Sequence, residues 1–410
     1  MARAAAIVAT ALLGSCAPHA IAPAQSMTDP GRTYTIAANG TAIAVDARAI
    51  AAGDVSRMEH RASPEAAIEG LRFVEANWFY GEDMRPHDAA PRRVRAWLEY
   101  PQGRLLPIRW QTGTVLTIAA GGHAVSEPVP VTIPRGARFW TRWANAGGAV
   151  IRWPMQMLPA PPAAIGRTDG NAHAGASQGI IPIARDATAF FGPAAILGVV
   201  RRRGARGGVI VGDSIAFGVG DVADSGAAGG SGYLARAIDP LFSYTKMVRG
   251  GQQAADVAGA DNSAPKRFIA LLRYSDVLFE HGINDLRLGR DLAQVLRDQR
   301  AIRARFDPAA RYWQMTLTPR TLSTDAYRSA NGQVVKRDGT MQSLAAVNAA
   351  IRDERAPGLH VVDAADAAMT HRDSGIWSGP WPPVSDGTHP TSAKAAALAD
   401  AVRPAIAMQR

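Results

Sequence analysis

Val209-Ile210-Val211-Gly212-Asp213-Ser214-Ile215-Ala216-Phe217-Gly218 is a short apolar run that breaks at a glycine and resumes with helix-like character. Branched apolar residues without alternation read as a strand buried on both faces, the pattern of a parallel sheet covered by other elements. The turn that follows places Ser214 at the strand's carboxyl end, where open α/β sheets gather their chemistry. From here strand-like and helix-like segments alternate. Val277-Leu278-Phe279-Glu280-His281 repeats the core-strand pattern and runs into Gly282-Ile283-Asn284-Asp285. Residues 291–306 carry Leu292, Val295, Leu296, Gln299, Ile302 and Phe306 near helical spacing. Tyr312 to Thr318 reads as a strand stopped by Pro319, Leu344 to Ile351 as a helix and Leu359 to Asp363 as a strand. Thr391 to Met408 reads as a closing Ala-rich helix with Thr391 or Ser392 as its N-cap. The alternation predicts an α/β fold, a parallel sheet wound by right-handed crossovers.

Near the end of the chain stands Asp386-Gly387-Thr388-His389. A serine hydroxyl is a poor nucleophile at neutral pH. It needs an imidazole to take its proton, and the imidazole needs a carboxylate to fix its tautomer. Ser214, His389 and Asp386 supply these three groups and are the candidate catalytic residues. A tetrahedral intermediate also needs donors for its oxyanion. The Asn284 amide at a strand's carboxyl end is one candidate, and a glycine of Arg249-Gly250-Gly251-Gln252-Gln253 is another, since a bare backbone N–H is open to a ligand.

In these four blocks the chain resembles the SGNH or GDSL hydrolases, whose markers are a Ser, a Gly, an Asn and a His in that order. The matches are Ser214, Gly251, Asn284 and His389, with Asp386 three residues before the histidine; Gly250 is the alternative to Gly251 because that block is the loosest match. The residue after the nucleophile is Ile215 where the family has Leu. The resemblance covers roughly the last half of the chain. It implies a flavodoxin-like, three-layer fold of about five parallel strands, a serine-esterase activity through an acyl-enzyme, and oxyanion binding by the Ser214 and Gly251 N–H groups with the Asn284 amide. Asp213 is expected to be structural and to bond backbone near the turn. His281, on an apolar strand end, reads as a satisfied core histidine, and His360 and His371 lack a partnering motif. Trp377 and Trp381 precede the Asp-His loop closely and are candidate substrate-binding residues, with core packing as the competing reading.

The first half is different. Thr33 to Ile36, Val94 to Tyr100, Val115 to Ile118 and Ala137 to Trp143 are short alternating segments between Gly- and Pro-bearing turns, the pattern of a small β-sandwich. The expected division is a targeting segment over 1–26, a β-rich accessory domain over 30–160, a linker and cleft-flanking segment over 161–206, and the catalytic domain over 207–410. The linker contains the Gly- and Ala-rich run 166–179. The β-rich unit reads either as a carbohydrate-binding or cleft-shaping module or as a packing partner alone.

Composition bounds the rest. At 410 residues and 47% hydrophobic, the chain can bury two domains. The net charge of +10 is carried by scattered arginines, with lysine only at Lys246, Lys266, Lys336 and Lys394, which argues against a nucleic-acid partner. There is no Cys pair and no His-Glu helix motif, and the glycines at 229, 230 and 232 follow no strand in the manner of a dinucleotide loop, so neither a metal nor another cofactor is expected. Arg3 followed by the apolar stretch Ala4 to Leu13 reads as an export signal. Leu13-Gly14-Ser15-Cys16 resembles a lipoprotein cleavage box that would leave Cys16 lipidated and the protein membrane-anchored in the periplasm, while Ala22-Pro23-Ala24 fits ordinary signal cleavage and a periplasmic or secreted product. The leading expectation is an exported serine esterase that removes O-acetyl groups from a carbohydrate. The alternatives are a lipase, arylesterase or thioesterase on lipid or small acyl esters, an O-acyltransferase using the same triad, and a non-catalytic binding protein. The expected partner is thus a small-molecule or polysaccharide ester, and the sequence sets no oligomeric state.

Overall fold

The computed structural model describes residues 33–52, 54–157, 166–168, 189–221, 230–259 and 263–408. The targeting segment, Cys16, most of the run 166–179 and the glycine at 229 lie outside the described residues. The chain is mixed α/β, with a β-rich first half and an α/β second half.

The second half is built on five parallel strands: β1 (Gly207–Gly212), β2 (Ser243–Val248), β3 (Asp276–Glu280), β4 (Arg311–Met315) and β5 (Leu359–Val362), ordered β2-β1-β3-β4-β5. Gly212 pairs with both Val248 and Glu280, so the carboxyl ends of the three strands that lead to Ser214, the Gly250-Gly251 turn and Asn284 lie side by side. The apolar runs are continuous because both faces of the sheet are covered. On one face Ile210, Leu278 and Trp313 pack with Leu234, Val347 and Leu398, from the helices Tyr233–Ile238, Leu344–Asp353 and Ser392–Met408. On the other, Val209, Val211, Val277, Phe279 and Tyr312 share a core with Phe268 and Ile302, and also with Ile36, Val74, Trp78 and Ala195 of the first half. The two halves therefore bury one apolar cluster jointly.

The first half forms antiparallel sheets. One has the order Thr35–Ile36, Ala195–Val200, Ile68–Ala76, His123–Val125, with Val129–Ile133 also on Ile68–Ala76. The larger runs Leu116–Ile118, Arg92–Glu99, Arg138–Asn145, Val55–Ala62, Gly166–Thr168. Alternate residues of the two sheets, among them Leu71, Phe73 and Ile196 from the first and Val94, Leu98, Phe139 and Trp143 from the second, meet in one core. On the other face of the larger sheet, the one that carries Val55, Trp97 and Ala144, Glu99 accepts from Arg57 Nε and Nη2 at 2.8 and 2.7 Å and from Arg142 Nε at 2.8 Å, a fully buried charge set tied to the chain by the Gly103 N–H.

The linker expected over 161–206 is corrected here. Ala195–Val200 is an inner strand, flanked by the first strand of the described chain and by Ile68–Ala76. Its apolar run lies between Pro193 and the basic Arg201-Arg202-Arg203, and those flanks gave it the look of a connector.

Residues 41–43 cover the outer edge of β2. The Ile43 N–H donates to the Lys246 carbonyl at 2.8 Å and the Lys246 N–H to the Thr41 carbonyl at 3.2 Å, so backbone groups that an edge strand would leave open are paired.

Candidate active site

Ser214 begins a single helical turn, Ser214–Phe217, directly after β1, and Asp213 caps that turn by accepting the Ile215 N–H at 2.9 Å. Gly212 permits the tight exit: a Cβ there would lie 2.5 Å from the Ala216 Cβ and 2.8 Å from the Glu280 carbonyl oxygen. Ser214 is 8% exposed.

His389 comes from the loop before the last helix, 175 residues along the chain, and its Nε2 lies 2.7 Å from Ser214 Oγ. Its Nδ1 lies 2.6 Å from Asp386 Oδ2. With Nδ1–H donating a hydrogen bond to the carboxylate, Nε2 is left to accept from the serine hydroxyl, which is the tautomer that proton removal requires. Asp386 is held locally: its Oδ1 accepts the Thr388 and His389 N–H groups, each at 2.9 Å. Burial pushes the Asp386 carboxyl upward, but the bonds from the His389 side chain and from the two backbone N–H groups outweigh it and hold the group well below the usual carboxylate range.

The loop itself is fixed from below. Gly387 has φ +87°, and a Cβ there would fall 1.8 Å from the Thr321 carbonyl oxygen. Its carbonyl accepts the Thr321 N–H at 2.9 Å and the Trp377 indole N–H at 3.1 Å. This decides between the two readings of Trp377. The ring is wholly buried and braces the catalytic loop from the core, so it is not a face for substrate. Trp381 is 44% exposed and remains available at the surface. Thr391 precedes the closing helix, Ser392–Met408, and its Oγ1 accepts the Lys394 N–H at 3.4 Å as an N-cap would.

Asn284 stands in the first turn after β3 and is 7% exposed. Both hydrogens of its Nδ2 are engaged, one by Asp213 Oδ2 at 3.0 Å and one by the Gln252 carbonyl at 3.2 Å. Asp213 therefore does more than cap its own turn, since it also holds Asn284 beside the serine. Of the two glycines, Gly250 lies against Ser214, a Cβ on it coming 3.7 Å from the Ser214 Cβ. Gly251 has φ +82° and faces the Met84 side chain of the first half. Among the described residues the N–H groups of Ser214, Gly250 and Gly251 have no backbone acceptor.

Beneath the serine lies a buried acid pair, Asp213 and Glu280, with the Tyr233 hydroxyl donating to Glu280 Oε1 at 3.1 Å. Burial pushes both carboxyls up; the Asp213 charge raises Glu280 further, and the nearby Asp285 charge raises Asp213. Asp213 accepts two N–H bonds and is the better seat for the negative charge; Glu280 has one hydroxyl donor and keeps its proton. His281 is buried as expected, and burial lowers its pKa to about 3 against the opposing pull of the Gln252 backbone, so the ring is neutral. His360 stacks on Trp313 with centroids 4.7 Å apart. Among the described residues no cluster of three or more His, Cys, Asp or Glu is arranged to hold a metal ion.

Two contributors were not visible in the sequence. Gln252, fully buried, touches the site through its carbonyl, and the turn at residues 81–85 reaches it from the other half of the chain. Both depend on contacts 168 residues apart.

No family model and no curated protein matches the chain. Solved structures do. A GDSL-like lipase from Bacteroides thetaiotaomicron is 14% identical, covering 50% of this chain and 89% of its own, with a TM-score of 0.34. A mutant of an acetyl-xylooligosaccharide esterase from Geobacillus Stearmophilus is 19% identical, covering 49% and 94%, with a TM-score of 0.34. A salicylyl-acyltransferase from a tetracycline biosynthetic pathway is 13% identical and covers 93% of this chain and 96% of its own, with a TM-score of 0.36.

Proposed function

We propose that the chain is a serine esterase that hydrolyses carboxylic esters through an acyl-enzyme on Ser214. The observation that carries this reading is the unbroken series Ser214 Oγ, His389 Nε2, His389 Nδ1, Asp386 Oδ2, with separations of 2.7 and 2.6 Å at its two hydrogen bonds. The strand order β2-β1-β3-β4-β5 supports a flavodoxin-like catalytic domain, with its chemistry at the carboxyl ends of the strands.

His389 Nε2 takes the hydroxyl proton as Ser214 Oγ bonds to the ester carbonyl carbon, and Asp386 stabilises the resulting imidazolium. The carbonyl oxygen becomes an oxyanion, met by the Ser214 and Gly251 N–H groups and by Asn284 Nδ2, which exchanges its longer bond to the Gln252 carbonyl for the new acceptor. Collapse expels the alcohol, which leaves with the proton from His389. Water then repeats the sequence on the acyl-enzyme and frees the acid.

The substrate class we propose is an O-acetylated carbohydrate. The exposed Trp381, joined to Val384 and the catalytic loop by Pro382 and Pro383, offers a ring for a sugar face, and the β-rich half sets a turn beside the oxyanion loop. We further propose that the chain is exported, from the signal-like residues before position 26 and the cleavage boxes at Cys16 and Ala24.

The test is a set of initial rates for the signal-free protein and its Ser214→Ala variant on chromogenic esters from acetyl to long acyl chains, with an added sugar acceptor in parallel. Turnover that is confined to short acyl groups and abolished by the substitution supports the esterase and its acetyl preference. Rates rising with chain length reject the carbohydrate assignment, and transfer to the acceptor in preference to water rejects hydrolysis as the activity.

A further inference from the structure

The oxyanion loop after β2 is gripped by the first half of the chain. Trp78–Tyr80 and Pro86–Asp88 form a two-stranded hairpin whose turn, residues 81–85, projects onto it. Three contacts join them. Arg249 Nε donates to the Gly81 carbonyl at 3.3 Å, Gln252 Nε2 donates to the Met84 carbonyl at 2.8 Å, and the Met84 thioether lies against Gly251, its Cε 3.2 Å from where a Cβ would stand. Met84 has φ +64°, in the left-handed region, and its own N–H is returned to the Gly81 carbonyl at 3.1 Å, so the turn presents its carbonyl in a fixed direction.

Gln252 stands at the centre of this contact. It is fully buried, its N–H closes the loop onto the Arg249 carbonyl at 3.2 Å, and its carbonyl accepts Asn284 Nδ2. It is thus the neighbour in sequence of one oxyanion donor, Gly251, and the hydrogen-bond partner of the other, Asn284. Its side chain has a single protein partner among the described residues, the Met84 carbonyl, supplied by the β-rich half.

We infer that Gln252 is a positioning residue that sets both oxyanion donors against a footing provided by the turn at residues 81–85. This rests on the oxyanion roles proposed above for Gly251 and Asn284. The β-rich half is on this account part of the active site, and it acts on turnover through the loop. A donor displaced by a fraction of an ångström from a developing oxyanion loses stabilisation of the transition state while leaving substrate binding almost intact.

The experiment compares full-length wild type with Gln252→Met, which keeps the volume and removes the donor, and Gln252→Ala, which removes both. On an acetyl ester the expected result is a fall in kcat of roughly tenfold to a hundredfold in both variants with KM within about twofold, the behaviour of a group felt in the transition state. Wild-type kcat in Gln252→Met would overturn the inference, because the contact would then be packing alone, and the esterase reading would stand. Amide hydrogen exchange over residues 247–256 gives a readout without substrate. Faster exchange in Gln252→Met is expected, and unchanged exchange overturns the inference. If wild type shows no Ser214-dependent turnover on any ester, the esterase reading fails, and the exchange result decides by itself whether Gln252 fixes the loop.

Discussion

Asn284 shows how much a single side chain is asked to do. In the resting state its two amide hydrogens are shared between Asp213 and the Gln252 carbonyl. Asn284→Ala removes a donor felt most strongly once the oxyanion has formed, so kcat should fall by on the order of a hundredfold or more while KM changes little, as steady-state kinetics on an acetyl ester will show. Asp386 is held ionised by the bonds it accepts, and Asp386→Ala should lower kcat by on the order of a thousandfold or more through loss of the His389 tautomer. Glu280 offers a test away from the chemistry. Its pKa is raised well above the ordinary 4.5 by burial and by the Asp213 charge. The unfolded chain gives up that proton as pH passes 4.5 while the folded chain keeps it, so this group's contribution to stability is complete below 4.5 and declines as pH rises toward its folded value. Glu280→Gln stays neutral in both states. Denaturation followed from pH 5 to pH 8 should therefore show a shallower loss of stability in the variant, and parallel curves would mean that Glu280 is ionised in the fold.

At the scale of elements, the catalytic loop is fixed by shape. Gly387→Ala would drive a Cβ to 1.8 Å from the Thr321 carbonyl oxygen at a φ that alanine avoids. The loop must shift, and with it His389. We expect kcat to drop by at least tenfold, and the melting temperature should fall as well, since the same movement strains the contact with the strand Thr321–Ser323. In the other half, Glu99→Gln removes the carboxylate charge that faces both buried arginines, Arg57 and Arg142. It should cost about 3–5 kcal/mol in chemical denaturation, the range seen when one partner of a buried ion pair is lost. Elements also explain what the sequence disclosed. The strands β1, β3, β4 and β5 were legible because their apolar runs are short, unbroken and followed by turns. The strand β2 was not, because Ser243, Tyr244, Thr245 and Lys246 look like surface, yet Lys246 is buried with its Nζ donating to the Ser231 and Phe217 carbonyls at 2.6 and 3.3 Å. Burial pulls its pKa down to about 7. The serine, histidine and aspartate were readable since each sits in a local motif. Gln252 was not, since its importance comes from a turn whose sequence, Gly81-Glu82-Asp83-Met84-Arg85, carries no sign of what it touches.

For the whole molecule the decisive feature is the shared core. Val209, Val211 and Phe279 of the catalytic sheet pack in one cluster with Ile36, Val74, Trp78 and Ala195. A fragment beginning at residue 207 would expose that face to water, together with the outer edge of β2. Expressed alone it should aggregate or bind a hydrophobic dye, and a soluble, cooperatively melting fragment would show that the two halves are stable apart. The pairing of Ile36 with Leu197 has a consequence for how the protein is made. Thr35–Ile36 must wait for more than a hundred and fifty further residues before its neighbour is synthesised. Until Val200 emerges, Ile68–Ala76 also lacks that inner partner, so the nascent chain carries an open sheet through much of its translation. Closure comes only as the nucleophile's own strand begins to appear, which ties completion of the β-rich half to the arrival of the catalytic one.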